Sequence, residues 1–89
     1  MGVGSLLSSA VEKTTSYFRD DVLFRRPYLT LEVCRWVVEI PVRREAESNG
    51  RIRYCAFVDI PGLGRRALRV VTLEDGVTIH NAFPDRRFR

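Results

Sequence analysis

Between Thr30 and Pro41 the apolar residues recur at helical spacing. Leu31, Cys34, Val37 and Val38 share one face, Val33, Trp36 and Ile40 widen it, and Glu32, Arg35 and Glu39 form a polar stripe opposite. The pattern predicts a helix starting near Leu31. Thr30 stands in the N-cap position, Glu32 complements the positive end of the first turn, and Pro41 stops the element. Upstream, Val11, Phe18, Val22 and Leu23, with Tyr17 and Phe24 nearby, are loosely helical until Pro27 disfavours helical backbone at the residue before it. Residues 1–17 are expected to form a frayed or helical extension.

From Val42 onward the period falls to two, and turn signals punctuate it at Ser48-Asn49-Gly50, Pro61-Gly62-Leu63-Gly64 and Glu74-Asp75-Gly76. Strands are predicted over 42–47, 51–60, 65–72 and 77–83. Connections this short join antiparallel neighbours. The predicted fold class is therefore α+β, with one or two N-terminal helices packed on a four-stranded antiparallel meander sheet. It occupies a single domain, residues 1–89, that ends in a basic tail at 84–89. A chain of this length hides only about two-thirds of its unfolded surface, enough for one core and not for a two-domain enzyme.

Alternation assigns the two faces of the sheet. Ile52, Tyr54, Ala56, Val58, Leu68, Val70, Val77, Ile79 and Phe83 make an apolar face for the helices. Arg51, Arg53, Cys55, Phe57, Ala67, Arg69, Val71, Thr78, His80 and Ala82 make a mixed, basic one. Closing the last hairpin on residues 73–76 sets Val71 opposite Thr78, Val70 opposite Ile79 and Arg69 opposite His80. A five-residue loop in the preceding hairpin sets Phe57 opposite Arg69 and Cys55 opposite Val71. The expected result is a patch of Phe57, Arg69 and His80 across three strands, with Arg53 further along.

Charge sharpens this picture. Residues 1–41 balance Lys13 and four arginines against five acids, so the net charge of +4 lies wholly in residues 42–89, which carry ten arginines against six acids. Fourteen of the fifteen cations are arginine, the side chain that grips phosphate with two parallel hydrogen bonds and stacks on bases. RNA is thus a candidate partner, against the plainer alternative of a solvated basic face. A composition 45% hydrophobic and 29% charged excludes both disorder and a membrane span, since no apolar run approaches ~20 residues. The two thiols, Cys34 and Cys55, lack CxxC spacing, and one histidine is too few for a zinc site, so neither a metal nor another cofactor is expected. No signal peptide is read in Met1 to Val11, and Leu6 stands where a myristoylation pattern at Gly2 would need Ser or Thr. A cytoplasmic protein with reduced thiols and no membrane partner is expected.

The patch contains the parts of a metal-independent ribonuclease. His80 would move a proton at the ribose 2′-hydroxyl, Arg69 would hold the phosphate in flight, and Phe57 would stack a base. Those roles make His80 and Arg69 the candidate catalytic residues, while Arg53, Phe57, Arg86 and Arg87 are candidate nucleic-acid contacts. One imidazole cannot be both acid and base, so Tyr54 or Asp85 would have to supply the second proton carrier. Ser8 and Ser9 lack a nucleophile elbow, Gly62 and Gly64 lack the rest of a phosphate loop, and Asp20 with Asp21 is too local a pair for acid–base work.

The order of motifs adds a resemblance. Arg25-Arg26-Pro27-Tyr28 and Thr30 ahead of a helix ending at Pro41, then Gly50-Arg51-Ile52-Arg53-Tyr54, Leu68-Arg69-Val70-Val71, Asp75-Gly76 and Ile79-His80-Asn81-Ala82-Phe83 resemble the small bacterial proteins of the DUF4258 type over residues 18–89. That family is related to the RelE and BrnT toxins of toxin–antitoxin systems, which pack N-terminal helices on a compact sheet and, in RelE, cleave RNA on the ribosome. The resemblance implies a RelE-like α+β fold, RNA binding or cleavage, and a cognate antitoxin as partner. The family's His-Arg pair ahead of the helix is matched only in its arginine, by Arg25 or Arg26, because Asp20 to Arg26 holds no histidine. The alternative is a noncatalytic interaction module, a homodimer included, using an exposed sheet edge or the apolar residues Phe57, Val71 and Ala82 of the second face.

Overall fold

A computed structural model describes residues 14–88. Most of the expected N-terminal extension, including Gly2, Ser8, Ser9 and Val11, lies outside the described residues, as does the final Arg89. The described chain opens with a helical segment, called α1 here, in which Phe18–Val22 is wound as a π-helix and Leu23–Arg25 continues it as an α-helical turn. The Thr15 hydroxyl accepts the Phe18 N–H at 3.1 Å and so caps the start. Phe18 and Val22 are completely buried on the side facing the sheet. Helix α2, Leu31–Glu39, begins as its sequence predicts, with Thr30 Oγ1 accepting the Val33 N–H at 3.1 Å. It buries Cys34 and Val37, and Leu31, Val33 and Val38 pack partly against the same core. Trp36 and Ile40, expected to widen the buried face, are instead 44% and 57% exposed. At about 100° per residue Trp36 falls well away from the Cys34 and Val37 centre of the packed face, and Ile40 lies past the last helical residue.

The sheet is an antiparallel meander in the order β1-β2-β3-β4, built from Arg43–Ala46, Ile52–Ile60, Gly64–Thr72 and Ile79–Pro84. Together with the helices it forms the predicted α+β fold. On one face Ile52, Tyr54, Ala56, Val58, Leu68, Val70 and Ile79 close over the helices as the alternation requires. Beyond β4 the chain is also tied down at Thr14 and Thr15: Thr14 bridges Ile79 in parallel, and the Thr15 N–H donates to the Ile79 carbonyl at 3.0 Å. Among the described residues no helix is long and apolar enough to cross a membrane.

Both later hairpins differ from the expected register. Ile60 pairs Gly64, so the β2–β3 turn spans only Pro61–Leu63 and brings Phe57 opposite Ala67 and Cys55 opposite Arg69. This two-residue slip preserves the faces, because side chains alternate with period two. The β3–β4 connection is longer than expected. The Asp75 carboxylate accepts the N–H groups of Val77 and Thr78, both at 2.9 Å, and holds the loop open as far as Thr78. As a result Val77 is exposed rather than in the core.

Strand β4 then carries a bulge. Thr72 pairs Ile79 but Val71 pairs Asn81, which leaves His80 as the extra residue. The insertion reverses the alternation beyond it. Ala82, expected on the open face, is fully buried in the core, and Phe83, expected in the core, lies on the open face opposite Arg69.

Candidate nucleic-acid interface

The open face of β2, β3 and β4 is walled on one side by the chain after β4. The Asp85 N–H donates to the Ala67 carbonyl at 2.8 Å and extends the β3–β4 pairing by one residue. The Asp85 carboxylate then accepts the Arg87 N–H at 2.9 Å, and the turn sets Phe88 against Phe57 with ring centroids 5.5 Å apart. At the other side stand Tyr17 of the α1 entry and the end of the β1–β2 hairpin with Glu47 and Arg51. Between these walls is a hollow of about 700 Å³ that Arg53, Arg69, His80, Arg86 and Arg87 all line. Five of the six candidate site residues therefore share one cavity. Phe57 lies in an adjoining hollow with Arg65 and Phe88, and Asp85 and Arg86 border both.

The arginines are not equivalent. Arg69 donates through both Nε, at 2.9 Å, and Nη2 to the same oxygen of Asp85, and the two side chains are only 18% and 11% exposed. This hydrogen bonding from Arg69, aided by the Arg87 N–H, holds the Asp85 carboxyl below the usual carboxylate range against the opposing effect of burial. Arg53 is paired twice, through Nε to Glu47 at 3.1 Å and through Nη2 to Glu45 at 3.3 Å. Arg51, Arg86 and Arg87 have no carboxylate partner among the described residues. Five arginines against Glu47 and Asp85 give the hollow an excess of three positive charges, carried by those unpaired guanidiniums.

His80 owes its position to the bulge. Its Nδ1 lies 3.0 Å from Thr15 Oγ1, and its ring packs at 5.0 Å against Tyr17. Burial first, and the Arg51 charge second, push its pKa below the ordinary 6.5, so the imidazole is neutral at pH 7. Thr15 Oγ1 already accepts the Phe18 N–H and has a second lone pair for an Nδ1–H. In that tautomer Nε2 holds the free lone pair and can accept a proton.

The expected cross-strand contact between Arg69 and His80 is not formed, since Arg69 faces Phe83 and the three-residue register difference moves His80 toward the loop end of β4. The two side chains border the same hollow without being neighbours. Neither suggested second proton carrier suits the task. Tyr54 is buried on the core face, its hydroxyl donating to the Gly76 carbonyl at 3.0 Å, and Asp85 is held ionised by Arg69. The apolar patch imagined for an interaction module is also absent, because Ala82 is in the core and Val71 is 8% exposed. Thr15, Tyr17 and Arg51 are the site residues that sequence reasoning passed over. Arg51 was visible as an open-face arginine, but nothing in the sequence ties Thr15 to a histidine 65 positions away.

Comparison with known proteins adds no relative: no family model, no curated protein and no solved structure matches the chain.

Proposed function

We propose that this chain binds single-stranded RNA across the open face of its sheet. The observation that carries the reading is the set of three unpaired guanidiniums, Arg51, Arg86 and Arg87, around a hollow floored by strands and flanked by aromatic rings. Phosphates take the unpaired arginines, and Tyr17 and Phe83 offer ring surfaces against which unstacked bases can lie. Arg53 and Arg69, already neutralised by Glu47 and Asp85, shape the hollow more than they charge it. The neighbouring hollow at Phe57 and Phe88 continues the same track. A flexible single strand suits this surface better than a duplex, whose bases are not free to stack on side chains.

The resemblance to RelE-type toxins extends the reading to cleavage: His80 Nε2 takes the 2′-hydroxyl proton as that oxygen bonds to phosphorus, the P–O5′ bond breaks, and solvent water protonates the departing 5′-oxygen in place of Tyr54 or Asp85. The neutral state of His80 and its Thr15 anchor favour the role of base. The test is fluorescence anisotropy with a labelled, mixed-sequence single-stranded RNA in low-salt buffer containing EDTA, followed by gel analysis of the same samples. Binding that is weaker to the matching duplex supports the proposal, and absence of binding at low salt refutes it. Cleavage that disappears in His80→Ala while binding persists would assign the nuclease step to His80. Intact RNA would leave a binding protein and remove the toxin-like activity.

A further inference from the structure

Strand β1 covers only part of its neighbour. Its pairing with β2 runs from Ala46 opposite Ile52 to Arg43 opposite Cys55, and the preceding Val42 N–H donates to the Cys55 carbonyl at 2.8 Å. Past that point Ala56–Ile60 pairs β3 on one side and no described strand on the other. The direction of the backbone groups follows from parity. The Ala67 carbonyl is turned to Asp85 and away from β2, so Phe57 and Ala67 form a non-hydrogen-bonded pair, and the N–H and C=O groups of Phe57 and Asp59 point outward. No partner for them occurs among the described residues.

The surroundings of this edge are apolar and paired in charge. Trp36, Phe57, Val58, Asp59 and Arg65 line a hollow of about 410 Å³ that straddles it. Val42, 66% exposed, stands where β1 gives out. Asp59 and Arg65 are 81% and 65% exposed and only 3.9 Å apart, a loose ion pair with room for a second cation and a second anion.

We propose that this edge pairs with the same edge of a second copy of the chain. The open stretch is bounded by the start of β1 at one end and the Pro61–Leu63 turn at the other, so an antiparallel match has a single centre, Val58. About that twofold axis Ala56 meets the partner's Ile60, Val58 meets its own counterpart, and Phe57 meets the partner's Asp59. The last is a hydrogen-bonded pair in which all the outward N–H and C=O groups are satisfied. Each Asp59 comes to lie between its own Arg65 and the guanidinium that covers the partner's Phe57, giving alternating signs across the axis. On the opposite face the two indoles of Trp36 close over the paired valines. The result is one continuous eight-stranded sheet. This inference does not depend on the RNA reading: Phe57 and Arg65 also border the hollow that continues the RNA track, but the pairing uses the outward backbone groups of β2, and none of its residues lines the basic hollow itself. An interface built on so short a stretch belongs at the small end of specific contacts, so association is read as a concentration dependence.

Sedimentation equilibrium of the full chain from micromolar to millimolar concentration tests the pairing. The mass is expected to rise from 10.3 kDa toward twice that value. Asp59→Lys, which sets like charges across the axis, should weaken association by about tenfold or more, and the exchanged pair Asp59→Lys with Arg65→Glu should restore it. Hydrogen exchange of the unmodified protein gives a readout independent of any variant: the Phe57 and Asp59 amides should become protected as concentration rises. A mass of 10.3 kDa throughout, or a dimer in which those two amides exchange freely, overturns the proposal.

Discussion

Removing Arg86 and Arg87 together should change the salt dependence of RNA binding by an amount the structure fixes. Three guanidiniums in the hollow have no carboxylate to neutralise them, so three phosphate contacts are available to a bound strand. Each contact on a single strand contributes about −0.7 to the slope of log affinity against log salt, which puts the parent slope near −2. Between 50 and 200 mM salt its affinity should therefore fall about 20-fold. With Arg86→Ala and Arg87→Ala only Arg51 remains, and the same change of salt should weaken binding about threefold. Anisotropy titrations at four or five salt concentrations read both slopes. Arg44→Ala is the control, because Arg44 is exposed on β1, lies over the Tyr54 ring, and lines none of the hollow. A double variant with the parent slope, or a control that loses slope as the double variant does, would refute the assignment of these arginines to phosphate.

Three further outcomes are expected. Arg51→Ala should raise the His80 pKa by removing the smaller of its two depressing influences, while burial still holds it under 6.5. Proton NMR of the imidazole decides this, and an unchanged or lower midpoint contradicts it. Folding stability should be greatest above about pH 6.5 and decline as the pH falls toward the folded His80 value, since the unfolded chain then binds the extra proton. A second loss should follow in acid below the ordinary Asp value of 3.8, as the folded Asp85 carboxyl takes its proton and releases Arg69, and urea melts across pH would show both steps. Thr30→Ala should cost about 1 kcal/mol through the lost cap of α2, and Leu68→Ala, wholly buried between sheet and helices, about 2–5 kcal/mol, with the smaller loss for Leu68→Ala contradicting its place in the core.

The fold was legible because its signals are local. The alternation of β2 and β3, the Thr30 cap and the glycine-bearing turns each act over a few residues, and a slip of two in the middle hairpin left every face intact. The last hairpin was less legible for a specific reason. Glu74-Asp75-Gly76 reads as a tight turn, yet the Asp75 carboxylate also gathers Val77 and Thr78, lengthening the loop and moving the start of β4. Once the loop had grown, only a bulge could place both Ile79 and Ala82 in the core, and no two-residue periodicity reveals one. The candidate site inherited this difference. A shared open face was legible for Arg53, Arg69 and His80, whereas the return of the tail that brings Arg86 and Arg87 to the same hollow was not. The contacts that tune the site, Thr15 with His80 and Asp85 with Arg69, span 65 and 16 positions and depend on the whole sheet being formed.

The supernumerary residue in β4 also separates two demands that a regular strand would tie together. Ile79 and Ala82 answer to the packing of the helices, and the imidazole between them answers to the loop, Thr15 and Tyr17. Shortening β4 by one residue at position 80 would therefore do more than delete a side chain. It would restore strict alternation, forcing either Ala82 outward or Phe83 inward beneath the helices, so the histidine cannot be excised without rewiring the end of the barrel-less sheet that supports it. Replacing it, by contrast, leaves the kink and the packing in place, which makes position 80 one where chemistry can change while architecture persists.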